Sequence, residues 1–184
     1  MTGRRSVALA CLALLASGMG VARAVEPPDG YRTDDYHAPT PDAVPGGQVV
    51  HTAALRALID DDRAILIDVL PAPRRPDGAK PGAPWMPLPR MDLPGSVWLP
   101  DVGRGALDAA TEGWFRAQLA ELTGGDPARA IVFYCMTDCW MSWNAAKRAA
   151  RSGYTHVLWY PEGADGWQSA GGALASNRAR TPPE

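Results

Sequence analysis

The sequence predicts an α/β fold, a three-layer sandwich with a mainly parallel central sheet. Three observations predict it. Ala64-Ile65-Leu66-Ile67-Asp68-Val69-Leu70 and Ile131-Val132-Phe133-Tyr134 are near-continuous apolar runs, the pattern of strands covered on both faces. Helical periodicity separates the strand-like runs. Strands and helices therefore alternate along the chain, which favours parallel pairing with helices packed on the sheet.

The elements follow in order. Residues 25–47 are rich in Pro, Asp and Gly, with Tyr31 and Tyr36 among them, and read as an extended arm without its own core. Thr52 can cap a helix that runs to about Asp60 with Leu55, Leu58 and Ile59 on one face. After the strand at 64–70, Pro71–Pro94 holds eight prolines together with Arg74, Arg75, Lys80 and Arg90. No strand or helix is expected to survive that density, so a long loop is predicted there. Val97-Trp98-Leu99 reads as a short strand, and Thr111–Leu122 as a helix with Trp114, Phe115, Leu119 and Leu122 turned inward. Gly124 stands near its end. Next come the strand at 131–134, a helix over Ser142–Ser152 stopped by Gly153, and a strand over Thr155–Tyr160. Pro161–Gly172 reads as a loop with room for one short helix, and residues 175–184 as a frayed tail.

Residues 1–24 have the organisation of an export signal. Arg4 and Arg5 form a basic start, Ser6–Gly20 is almost uncharged, and Ala22-Arg23-Ala24 offers a small-x-small cleavage site. The apolar run falls short of the ~20 residues a membrane span needs. The reading is an exported, periplasmic protein cleaved after Ala24. Removing Arg4, Arg5 and Arg23 leaves 15 basic against 20 acidic side chains, a formal charge of −5, which speaks against a nucleic-acid-binding surface. Cys11 leaves with the signal, so the mature chain keeps Cys135 and Cys139. In an oxidising compartment that pair is either a disulfide or a managed redox couple.

Cys135 ends a strand just before a helix, where loop amides and the helix dipole favour a thiolate. Cys139, four positions on, can reach it if the loop curls. The closed ring would be small, so it constrains the unfolded chain little, and a purely stabilising role is the weaker explanation. Two roles stay open: a redox or sulfur relay in which Cys135 attacks and Cys139 resolves, and a structural staple without turnover. Trp140 is the better pocket candidate of the nearby aromatics, and Trp143 reads as a wedge between helix and sheet. Asp68 is expected to bond neighbouring loops at its strand end. Neither His51 nor His156 has ligand spacing to the cysteines, so no metal or other cofactor is expected.

The order of motifs resembles a rhodanese-like domain. Leu66-Ile67-Asp68-Val69 is similar to the family's first core strand and Leu93-Pro94-Gly95-Ser96 to its Pro-Gly-Ala turn. Ile131–Cys135, Ser142-Trp143-Asn144-Ala145-Ala146, Gly153-Tyr154 and Val157–Tyr160 follow the family's order, and Gly163–Trp167 with Gly171-Gly172 resembles its closing segment. The resemblance covers residues 48–175, with 71–94 an insertion and 176–184 a tail. Cys135…Cys139-Trp140, the signal and the proline-rich insertion resemble a subgroup of exported proteins named for a CXXCW motif and associated with PQQ-dependent alcohol catabolism, although three residues separate these cysteines.

The resemblance implies a persulfide-carrying Cys135 in a cradle, with Met136, Thr137, Asp138, Trp140 and Met141 as the substrate-binding loop. It implies a sulfur-containing small molecule or thiol protein as partner, and a PQQ-dependent dehydrogenase system nearby. The usual loop arginine is missing, and Asp138 opposes an incoming dianion. Phosphatase relatives need an arginine where Met141 stands, which excludes their chemistry. The expectation is sulfur transfer or disulfide exchange at Cys135 with Cys139. The alternative is a non-catalytic accessory or binding module with a structural disulfide.

Overall fold

The computed structural model describes residues 25–78, 80 and 85–181. The predicted export signal lies outside the described residues. The chain folds as predicted, with a mostly parallel sheet between two helical layers. The strands are β1 (Gln48–Val49), β2 (Ile65–Asp68), β3 (Arg90–Asp92), β4 (Val97–Trp98), β5 (Ile131–Tyr134), β6 (Val157–Trp159) and β7 (Ala175–Asn177). The helices are α1 (Thr52–Asp60), α2 (Ala109–Thr123), α3 (Trp140–Arg151) and α4 (Gly163–Ser169). Five strands form the central sheet in the order β1-β6-β5-β2-β4, and every pair in it is parallel.

The alternation of side chains along each strand sorts the apolar runs into two cores. Ile67, Ile131, Phe133, Val157 and Trp159 pack with Phe115 and Leu119 of α2 and Trp143, Ala145, Ala146 and Ala149 of α3. Leu66, Val132, Tyr134 and Leu158 face the opposite way, onto Leu55 of α1 and Ala164 and Trp167 of α4. Strand β5, buried at all four residues, lies between β6 and β2 at the centre of this arrangement.

Several sequence expectations change. Thr52 is the first residue of α1 rather than its cap: His51 is the N-cap without a side-chain bond, and the Thr52 hydroxyl lies 2.8 Å from the Tyr160 hydroxyl. The proline-rich stretch does carry a strand, because β3 pairs antiparallel with β7. Extended backbone suits a segment between prolines, and the two short strands satisfy each other's donors. The same pairing orders residues predicted to fray; beyond it the Arg180 amide donates to the Trp98 carbonyl at 2.9 Å. Helix α2 begins earlier than expected because the Asp108 carboxylate accepts from the Thr111 amide at 2.7 Å, a capping bond. Gly124 takes the left-handed conformation that ends it (φ 64°). Among the described residues no helix is long and apolar enough to cross a membrane.

Candidate functional site

Strand β5 decides where the first sulfur goes. Ile131 and Phe133 face α2 and α3, so the next residue of that parity, Cys135, points the same way. It is fully buried within that core. The chain then turns through Met136, Thr137 and Asp138, with Asp138 in the left-handed region at φ 54°, a conformation that aspartate tolerates better than most residues. Cys139 follows as the N-cap of α3. The turn brings the two cysteines to a Cα separation of 6.1 Å, and their sulfurs are joined as a disulfide. Such a separation lies in the range a disulfide spans. Cys139 is 7% exposed and Cys135 is 0% exposed.

The arm, residues 25–47, lies over this junction. His37 and Cys139 form an antiparallel bridge, flanked by the Ala38 amide donating to the Asp138 carbonyl at 3.1 Å and the Trp140 amide donating to the Tyr36 carbonyl at 2.9 Å. The second bond uses one of the orphan amides at the start of α3. Further along α3, the Asn144 side chain accepts from the Arg32 amide and donates to the carbonyls of Arg32 and Gly103. The Lys147 ammonium donates to the carbonyls of Pro28, Asp29 and Gly30 at 2.7–2.8 Å. Arg148 donates to Val102, Arg104 and Gly105 and stacks on Tyr31, 4.3 Å from its ring centre. The arm packs on the main core: Val44 is buried in it, and Val25, Tyr36 and Ala38 pack against it.

From the other side, Glu162 and the first turn of α4 hold the cysteine turn in place. The Ala164 amide donates to the Cys135 carbonyl at 2.9 Å. The Thr137 amide donates to the Asp165 carboxylate and its hydroxyl to the Glu162 carbonyl, both at 2.8 Å. The Ser142 hydroxyl donates to the Cys139 carbonyl and accepts from the Trp159 indole, which ties the N-cap to the sheet.

Beneath the C-terminal ends of β2 and β5 lies a buried acidic pair. Asp68 and Asp92 are both fully buried and close enough for each charge to act on the other. Tyr134 donates to Asp92 at 2.8 Å, Asn177 donates to it at 3.0 Å, and Arg90 pairs with Asp68. Arg90 also places a guanidinium nitrogen 3.7 Å from the Met136 sulfur, so a residue of the proline-rich stretch reaches the cysteine loop. Burial pushes the Asp68 carboxyl well above its ordinary range; the Asp92 charge adds to this, and Arg90 and the Leu70 amide oppose it.

With one guanidinium facing two carboxyls, the native cluster keeps a proton that the unfolded chain releases at about pH 4. The native state therefore binds more protons above that pH, and stability falls as pH rises towards the elevated Asp68 value. Urea midpoints measured from about pH 4 upward should show this decline, and Asp68→Asn should flatten it. An unchanged slope in the variant would remove Asp68 as its source.

The predicted site residues divide into two groups. Cys135 and Cys139 come together, and Met136 (half-buried) with Thr137 and Asp138 (exposed) forms the turn between them. Trp140 and Met141 belong to α3 and are buried, each 2% exposed, so the expected loop ends two residues sooner. The Met141 backbone packs against Gly103. Trp140 lies edge-on to Trp143 at 5.3 Å, and its indole nitrogen is buried without a partner among the described residues.

The expectation of a Cys135 sulfur open to a ring of amides is corrected, since strand parity turns it under α3. The helix N-terminus belongs to Cys139 instead. Asp68 bonds the Leu70 amide and Arg90 as a strand-end residue should. His51 sits against Glu162 at 2.6 Å, and among the described residues no cluster of three or more potential metal ligands occurs. Sequence reasoning missed His37 and Arg90. No local pattern marks either one; only pairing across about a hundred residues, or a strand among prolines, brings them in.

No curated protein matches the chain significantly. Among solved structures, a thiosulfate sulfurtransferase from Pseudomonas aeruginosa is 19% identical and covers 75% of this chain with a TM-score of 0.49; the chain spans only 22% of that protein. The human single-domain sulfurtransferase TSTD1 is 23% identical over 66% of this chain and 95% of its own, with a TM-score of 0.42. Residues 51–170 match the rhodanese-like domain family, and the chain belongs to that family.

Proposed function

We propose that this protein is an exported, periplasmic rhodanese-like protein whose Cys135–Cys139 pair exchanges disulfides with a thiol partner. The observation that carries the reading is the position of Cys139: it is the N-cap of α3 and the less buried sulfur of a bridged pair. A thiolate there gains from the helix dipole. A partner thiolate attacks the Cys139 sulfur, and the bond to Cys135 breaks with its electron pair left on Cys135. The mixed disulfide on Cys139 is then cleared by a second partner thiol. The partner loses two electrons and two protons to the pair. Transfer of sulfane sulfur from a small dianion fits less well, because the sixth position after Cys135 is the buried Met141 and Asp138 adds a negative charge.

Export rests on the basic, apolar and small-residue pattern of residues 1–24. Association with PQQ-dependent alcohol catabolism, and with its dehydrogenase system as partner, rests on Cys135…Cys139-Trp140 and the accompanying insertion. The second reading, a non-catalytic accessory module with a structural disulfide, is favoured by the complete burial of Cys135.

Thiol treatment of the folded protein followed by intact-mass analysis separates the two. Exchange predicts a reducible pair, a persistent thiol adduct on Cys139 in Cys135→Ser, and at least about tenfold slower labelling of Cys139→Ser, whose remaining thiol is buried. A disulfide that resists reduction until the protein unfolds would establish the module.

A further inference from the structure

The bridge between the arm and the cysteine turn fixes which arm residue meets the reacting sulfur. The flanking bonds run from Ala38 to Asp138 and from Trp140 to Tyr36, so His37 and Cys139 face each other as the non-hydrogen-bonded pair of an antiparallel ladder. In that arrangement the two side chains leave the same face, with Cβ atoms about 4.5–5.5 Å apart. The His37 side chain is exposed and Cys139 is 7% exposed, so the histidine side chain is the more solvent-accessible member of the pair. The charged groups around this junction include Asp138 on the turn itself and Arg32, which lies 5.4 Å from the Trp140 ring centre and pairs with Asp34 and Asp35 at 3.4 and 3.2 Å.

We propose that His37 is the charge partner of the Cys139 sulfur, holding the thiolate released during exchange and handing it a proton. The inference rests on the exchange reading above and adds the residue that handles the proton. A partner dithiol first joins one sulfur to Cys139, and the Cys135 sulfur leaves with the electron pair and takes up a proton. The partner's second thiolate then attacks its own bound sulfur. Cys139 leaves with the electron pair of the mixed disulfide and receives a proton from the His37 imidazolium, which is recharged by the proton the partner thiol gave up. The partner ends as a disulfide and the pair as two thiols.

The test uses dithiothreitol on the folded mature protein, with alkylation and intact mass as the readout and thermal midpoints in parallel. His37→Gln should resolve its dithiothreitol–Cys139 mixed disulfide about tenfold more slowly, read as adduct remaining in quenched samples, with its thermal midpoint unchanged, and His37→Lys, which restores a cation, should come within about threefold of the original rate. Equal rates for the original protein and His37→Gln, or a lysine variant as slow as the glutamine one, would overturn the role of His37 and leave exchange standing. A pair that dithiothreitol cannot open in the folded original protein would overturn both.

Discussion

Replacing Lys147 with methionine should release the arm and open the cysteine pair to thiols. The Lys147 side chain is 2% exposed, stacks 4.7 Å from the Trp143 ring centre, and donates to three consecutive carbonyls of the arm. Methionine keeps most of the apolar packing and removes all three donors. Hydrogen bonds to a charged group contribute about 1.5–3 kcal/mol each. Once the arm lifts, water replaces the lost donors at its carbonyls, so we expect a net loss of about 2–3 kcal/mol. Protease should then cut within residues 25–47 while the sheet stays intact, and dithiothreitol should reduce Cys135–Cys139 roughly tenfold faster in the folded state. An arm that stays protected in Lys147→Met would show that Asn144 and the Tyr36 and Ala38 bonds suffice to hold it.

A second large effect is expected at Gly163. Its φ is +62°, and a Cβ placed there would lie 2.5 Å from the Met136 Cα and 2.8 Å from the Cys135 carbonyl oxygen. Those neighbours are backbone and cannot swing aside. Gly163→Ala therefore combines about 1–2 kcal/mol of left-handed strain with an overpacking cost of about 1–3 kcal/mol. The displaced segment is the turn that holds the sulfurs together, and the Ala164 bond to Cys135 shifts with it. Chemical denaturation should show the combined loss, and the pair should exchange with glutathione at a different equilibrium from the original protein. A fully stable variant with unaltered exchange would mean that the turn adapts without consequence.

The strand and helix pattern was legible because it rests on local signals. The apolar runs at 65–68 and 131–134, the Gly124 end of α2 and the Gly153 stop all act within a few residues; the Asp108 cap is equally local and went unread, so α2 begins before the expected Thr111. The parity of β5 was equally visible: Ile131, Phe133 and Cys135 share a face, so the burial of Cys135 could have been read from the same pattern that predicted the strand. What the sequence hides is pairing at a distance. Strand β3 exists because β7 comes back to it, and β7 has no strand signature apart from that partner. The arm is similar, since its order comes from Asn144, Lys147 and Arg148 of α3, more than a hundred positions further along the chain.

Contacts this far apart along the chain also impose an order of assembly. The bonds from Lys147 to residues 28–30 bridge 117–119 positions, and the ones at His37 bridge about a hundred, whereas the two sulfurs are four apart. Closing the short ring costs far less chain entropy than seating a strap whose anchor lies more than a hundred positions further along the chain. A newly made molecule thus passes through a stage in which both thiols stand uncovered. Any oxidant the molecule meets has its opportunity then, and the strap fastens over whatever state it leaves behind.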